Sequence, residues 1–192
     1  DGKYAISLPL VKRKIELPSA VSNGQSAFNI FSQLTEHVHQ VDDFSKLDIP
    51  FFCMATNLET GEEVVLDKGF LPEAIRASGS FPGLLTPVKI DGKVLMDGGI
   101  VDNFPVEKMK AKGVDYIIGV NVSAGLKDIE NLNTLPEVLM QIAGFQMYNK
   151  WEEKIEQSDL YIRPELDEFT TFSFHQREEF MRRGDLAMEK VE

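Results

Sequence analysis

Hydrophobic and polar positions change period several times along the chain, and each change predicts an element. Tyr4-Ala5-Ile6-Ser7-Leu8 and Lys14-Ile15-Glu16-Leu17 alternate loosely, and Pro9 and Pro18 stop them, so extended structure and turns are expected up to residue 25. Ala27, Ile30, Phe31, Leu34 and Val38 then fall on one face at helical spacing. They predict a helix from Ser26 to about His39, with Asn23-Gly24 as the turn before it and Ser26 as its cap. Ile49 to Thr56 is a short, strongly apolar run, expected as a strand buried on both faces in a parallel or mixed sheet. A turn at Glu59-Thr60-Gly61-Glu62 leads into a returning strand, Glu63-Val64-Val65-Leu66. Leu71 to Ser78 reads as a short helix with Pro72 near its start, followed by a loop of small residues from Gly79 to Gly83. Val88-Lys89-Ile90 and Lys93-Val94-Leu95 flank Asp91-Gly92, a strong signal for a tight hairpin.

Further on, Pro105 to Gly113 reads as a helix with Pro at its start and Gly past its end. Val114 to Val122 reads as another buried strand, which makes a βαβ unit across that helix. Leu135, Val138, Leu139, Ile142, Ala143, Met147 and Trp151 mark the apolar side of a long helix from Thr134 to about Gln157. Asp159-Leu160-Tyr161-Ile162 is a last strand, and Phe180 to Lys190 a closing helix with Arg182, Arg183 and Lys190 outward. The order of elements predicts one α/β domain, or part of one, with its chemistry at strand ends.

The stretch best placed for chemistry is Met96-Asp97-Gly98-Gly99-Ile100-Val101-Asp102-Asn103-Phe104-Pro105-Val106. An acid at a strand end is followed by two glycines, which let another segment or a substrate approach the backbone, and then by a helix. Asp97 starting a turn whose glycines take positive φ explains the same spacing without function. A serine nucleophile is not in view. Gly24-Gln25-Ser26-Ala27-Phe28 ends in Phe where a nucleophile elbow needs Gly, and Ser78 and Ser80 lack the elbow as well. His37, His39 and His175 have no metal-ligand spacing, and no dinucleotide or phosphate fingerprint occurs, so neither metal nor cofactor is expected.

Composition narrows the classes further. The 192 residues are enough for a real core, with 43% apolar and 27% charged residues. A net charge of −11 argues against nucleic acid as partner and against electrostatic adsorption to anionic lipid. The clusters Lys12-Arg13-Lys14 and Lys108 to Lys112 are explained as solvated faces. Cys53 is the one cysteine; it sits in an apolar run and reads as a buried structural thiol.

Four boxes in order resemble the patatin-like phospholipases. Asp97-Gly98-Gly99 followed by Asn103-x-Pro105 is similar to that family's Asp-Gly-Gly/Ala box. Ala74 to Val88 looks like its helix and loop ahead of the box, Ala55 to Gly61 like the strand and turn before that, and Gly113 to Ser123 like the strand after it. The likeness runs from about Leu47 to Ser123, and its style is closest to bacterial members, some of which are built into larger surface or outer-membrane polypeptides. What the resemblance implies is an α/β patatin-like sheet with flanking helices, and a lipid acyl hydrolase working by a Ser–Asp dyad. In it the aspartate is general base to a serine that forms an acyl-enzyme, with backbone N–H groups holding the oxyanion. The match puts the base on Asp97, and Asn103 and Pro105 on shaping the turn and starting the helix. Ser78, Ser80, Phe81, Leu84 and Leu85 are expected by position near the acyl pocket. The family's oxyanion glycines and serine elbow lie upstream of these boxes and have no counterpart here. Residues 1–192 are therefore expected to be the C-terminal part of one patatin-like domain, inactive alone, with an exposed sheet edge prone to self-association. Expected partners are a lipid or other ester substrate and, through a longer parent protein, a membrane surface, at a cell envelope if that parent is of the surface type. The alternative is a non-catalytic module that uses a patatin-like half-fold to bind lipid or protein.

Overall fold

The computed structural model describes residues 10, 11, 14, 15, 20–123, 125–132, 138, 141, 142, 144, 145, 148, 150–166, 169 and 173–191. The strand expected over Tyr4 to Leu8 and most of the helix side marked by Leu135, Leu139, Ala143 and Met147 lie outside them. The chain forms two compact units, one ending at Val101 and one beginning at Asp102.

The first unit is built on a four-stranded sheet. Before it come the paired strands β1 (Leu10–Val11) and β2 (Lys14–Ile15), then β3 (Ala20–Ser22) and helix α1 (Gln25–Leu34). The sheet takes β4 (Cys53–Asn57), β5 (Glu63–Leu66), β7 (Val88–Ile90) and β8 (Lys93–Asp97) in the order β5-β4-β8-β7. Helix α2 (Leu71–Ser78) and β6 (Gly83–Leu85) lie between β5 and β7 in sequence, and β6 pairs in parallel with β3.

Local chemistry explains these elements. Pro72 starts α2, where its missing N–H costs nothing. Asp91 and Gly92 both take positive φ in the two-residue turn between β7 and β8, a geometry that follows the right-handed twist of the strands. Asn57 makes the turn after β4. Its side-chain oxygen accepts from Glu59 N and its carbonyl from Gly61 N, while Gly61 supplies the positive φ. Leu71, Ala74 and Ala77 of α2 bury one face against Ala55, Leu66, Val88 and Leu95 of the sheet, and Phe44 fills the same core from a one-turn 3-10 helix.

Three expectations for this unit need correction. Every pairing in the four-stranded sheet is antiparallel; β4 is buried from Met54 to Asn57 because it is an inner strand, and the apolar run alone did not show direction. Ser26 does not cap α1. Gly24 does, at φ +72, with Asn23 Oδ1 accepting from Gln25 N. The apolar stripe of α1 does not reach the core: none of its residues is buried, and Ile30 and Leu34 are exposed.

The second unit holds helix α3 (Val106–Ala111), β9 (Ile118–Val120), helix α4 (Trp151–Glu156), β10 (Leu160–Ile162) and helix α5 (Arg177–Glu189). Strands β9 and β10 pair in parallel, with α4 in the connection between them. The expected βαβ unit across α3 is therefore replaced by one across α4, since β8 and β9 belong to different sheets. A small core of Phe104, Val106 and Ile117 is closed by Trp151 and Tyr161, and Phe104 lies edge-on to Tyr161. Gly119 is needed there: a Cβ would stand 2.3 Å from the Phe104 ring. The strand over 114–122 is buried on one side only. Ile117, Gly119 and Asn121 face in, while Tyr116, Ile118, Val120 and Val122 are exposed. The helix expected through residue 157 is interrupted at Lys150, whose φ of +56 makes α4 a separate element. On α5, Arg182 and Arg183 both bond Glu179 and hold its carboxyl down to about 2.

Candidate active site

Asp97 is the last residue of β8, at the edge of the first unit's core. Its backbone is held on both sides. The Asp97 N–H donates to the Ser80 carbonyl at 3.2 Å, and the Asp97 carbonyl accepts from the Thr56 hydroxyl at 2.8 Å. The chain then turns through a one-turn 3-10 helix, Gly98–Ile100, and the carboxylate Oδ1 caps it by accepting from Gly99 N at 2.8 Å. The acid starts a turn as expected, but Gly98 and Gly99 do not take the positive φ expected of them, because they form the 3-10 turn itself; the cap leaves the second carboxylate oxygen outside it.

Gly98 has a packing reason to be glycine. A Cβ there would lie 2.3 Å from the carbonyl carbon and oxygen of Met54 on β4. The close approach brings the turn against the inner strand of the sheet and half-buries the carboxylate. Burial pushes the Asp97 carboxyl above the ordinary 3.8, and the Gly99 hydrogen bond opposes that only in part. Among the described residues no cation sits against it. A half-buried carboxylate without an ion-pair partner, raised in proton affinity, has the properties of a general base.

The other expected site residues divide. Phe81, Leu84 and Leu85 are half-buried in the segment after α2, where both leucine N–H groups donate to the Phe81 carbonyl. Ser78 is half-buried beside Cys53. Burial pushes the Cys53 thiol up to about 11, against a smaller pull downward from the Ser78 hydroxyl, so the thiol is the structural one expected. Ser80 departs from its expected place on a pocket wall. It is fully buried, and its hydroxyl donates to the Arg76 carbonyl at 2.7 Å. Asn103 and Pro105 belong to the second unit. Pro105 caps α3, and Asn103 is exposed with its amide donating to the Ser123 hydroxyl.

Several contacts in each unit were not foreseen from the sequence. Thr56 is a buried hydroxyl inside an apolar run, and that misfit was its one available signal. Arg76 ties α2 to two other segments, donating to the Asn23 carbonyl and to both oxygens of Thr86. Gly24 sits over its Nε at a distance no Cβ would tolerate without movement. Asp102 and Lys154 form a largely buried ion pair at 2.5 Å, and Asp102 also accepts from Phe104 N. Fifty-two residues separate that pair, and no local pattern joins them.

A mixed α/β unit with a half-buried acid on a glycine turn at a strand end is the kind of arrangement in which α/β folds place their sites. The comparison is more particular. Residues 20–110 match the model of the patatin-like phospholipase family. Lysophospholipase NTE1 of Candida albicans is 29% identical over 170 residues, covering 76% of this chain and 12% of that protein. The Pyricularia oryzae lysophospholipase NTE1 is also 29% identical, over 76% of this chain and 11% of its own length. That of Saccharomyces cerevisiae is 27% identical, over 76% and 10%. The chain thus spans about a tenth of the length of these curated relatives. The expected bacterial style is corrected by them, since they come from yeasts and a filamentous fungus.

Proposed function

We propose that these residues supply the aspartate half of a Ser–Asp dyad in a lipid acyl hydrolase. The observation that carries it is Asp97 itself, a carboxylate without a cation against it among the described residues, pushed up by burial and fixed at a strand end on the Asp-Gly-Gly turn. The 192 residues contain no Gly-x-Ser-x-Gly, so the nucleophile is assigned to sequence outside them. In the reaction, the free carboxylate oxygen of Asp97 takes the serine proton as the oxygen attacks the ester carbonyl. The proton passes to the leaving alcohol as the acyl-enzyme forms. Water then attacks the acyl-enzyme, losing its proton to Asp97, and the fatty acid leaves as the serine recovers that proton. Phe81, Leu84 and Leu85 offer apolar surface for the acyl chain, and Ser78 ends helix α2 ahead of them. The relatives' name, lysophospholipase, makes a single-acyl phospholipid the first substrate to try.

The test is hydrolysis of lysophosphatidylcholine by the natural polypeptide and by its Asp97→Asn variant. Turnover should fall by about three orders of magnitude or more in the variant, the usual scale for losing the base of a nucleophile pair. Full activity would end the assignment. The purified 192-residue chain should be inactive on the same substrate. One observation favours a binding role as well. Tyr116, Ile118, Val120 and Val122 present an exposed apolar row beside a strand pair, a surface suited to self-association or lipid contact. Sedimentation of the isolated chain over a range of concentrations, with Val120→Lys as control, tests the first of these.

A further inference from the structure

Resting on that reading of Asp97, we infer that Thr56 and Ser80 are positioning residues for the base, holding the Asp97 peptide from its two sides. Thr56 is on β4, one register step from the residue paired with Asp97: Ala55 lies opposite Asp97 and Thr56 opposite Met96. Its hydroxyl nevertheless reaches the Asp97 carbonyl, at 2.8 Å, and it is 4% exposed. Ser80 is wholly buried and takes part twice. Its hydroxyl anchors it to the last turn of α2 through the Arg76 carbonyl, and its own carbonyl receives the Asp97 N–H. The two peptide groups that flank the Asp97 Cα are thus held, one by a helix end and one by an inner strand, both parts of one core.

This clamp matters to chemistry through the turn that follows. The Asp97 carbonyl begins the peptide leading to Gly98, and Gly99 N–H holds one carboxylate oxygen. If the peptide rotates, that hydrogen bond lengthens and the free oxygen swings from where the serine proton must be met. Misplacement of a reacting group by about 1 Å can cost on the order of a hundredfold in rate. A bond from Gly99 to the charged carboxylate also favours ionisation. A loosened clamp should therefore raise the pH at which the base becomes active. A hydroxyl that merely satisfied a buried carbonyl would affect stability and leave that pH unchanged.

The experiment uses the natural polypeptide with p-nitrophenyl butyrate and with lysophosphatidylcholine. Thr56→Val keeps the branched shape and removes the hydroxyl, Thr56→Ser restores it, and Ser80→Ala frees the other side. All three are assayed beside Asp97→Asn, on material whose circular dichroism matches the parent. We expect kcat to fall about tenfold in Thr56→Val and Ser80→Ala, with KM within twofold. The acidic limb of kcat should move to higher pH, and Thr56→Ser should return both to within about threefold of the parent. If Thr56→Val fails to fold, Ser80→Ala and Thr56→Ser carry the test. Parent-like kcat and pH limb in the folded clamp variants, with Asp97→Asn inactive, would overturn the positioning role alone. An active Asp97→Asn would overturn the dyad reading beneath it.

Discussion

A single carboxylate set against its own fold's stability is the centre of this chain at the residue scale. Asp97 is ionised less readily in the folded state than a free aspartate, because burial outweighs its one hydrogen bond. The folded form therefore binds the proton more tightly than the unfolded form, and stability falls as pH rises through 3.8 until the folded-state value is passed. Asparagine keeps an oxygen for Gly99 N–H and carries no charge. Asp97→Asn should therefore melt at the same temperature as the parent or higher near neutral pH, an advantage that vanishes below pH 3.8, as calorimetry across pH would show. A lower melting temperature at pH 7 would contradict it. Gly98 behaves oppositely. Alanine there drives a methyl into the β4 backbone at Met54, and about 2 kcal/mol or more of stability should be lost in denaturant titration. Cys53, raised to about 11 by burial, should resist iodoacetamide at pH 7.5 until the protein is unfolded. The sequence exposed the Asp-Gly-Gly spacing because it is local. The Thr56 and Ser80 contacts to Asp97 were hidden because they cross 41 and 17 positions of chain.

At the scale of elements, what was legible followed the range of the forces involved. Helix α2 and the β7–β8 hairpin formed where Pro72 and Asp91-Gly92 set them, since Pro72 fixes φ and Asp91-Gly92 accept the positive φ of a tight turn. The direction of β4 in its sheet is a matter of which strands reach it, and an apolar run carries no such information. The same limit hid the ion pair between the loop before α3 and helix α4. Breaking one partner of Asp102–Lys154 strands a charge in a largely buried place. Lys154→Met alone should cost about 3 kcal/mol, and Asp102→Asn with Lys154→Met should recover much of it. A single variant as stable as the parent would show the pair to be idle. Helix α1 shows the reverse failure. Its apolar stripe is real in the sequence, yet only part of it is covered: Ala27 and Phe31 are half-buried while Ile30 and Leu34 stay exposed.

For the whole molecule, the residues read from the sequence as one motif fall in two compact units. The Asp-Gly-Gly turn closes the first, and Asn103 and Pro105 open the second, where they serve a helix cap and a hydrogen bond to Ser123. The family match over residues 20–110 ends within α3, so it takes in Asp97, the proposed base, and the segment proposed as acyl pocket. Asp97 is proposed to activate a serine lying outside these 192 residues. Fluorophosphonate labelling of the natural polypeptide tests it most directly, because the probe reacts only with an activated serine. Mass spectrometry should find the label on one serine beyond this segment, and Asp97→Asn should slow labelling by at least a hundredfold, about the lower scale of general-base catalysis. Labelling at Ser78 or Ser80, or a rate untouched by Asp97→Asn, would contradict the account.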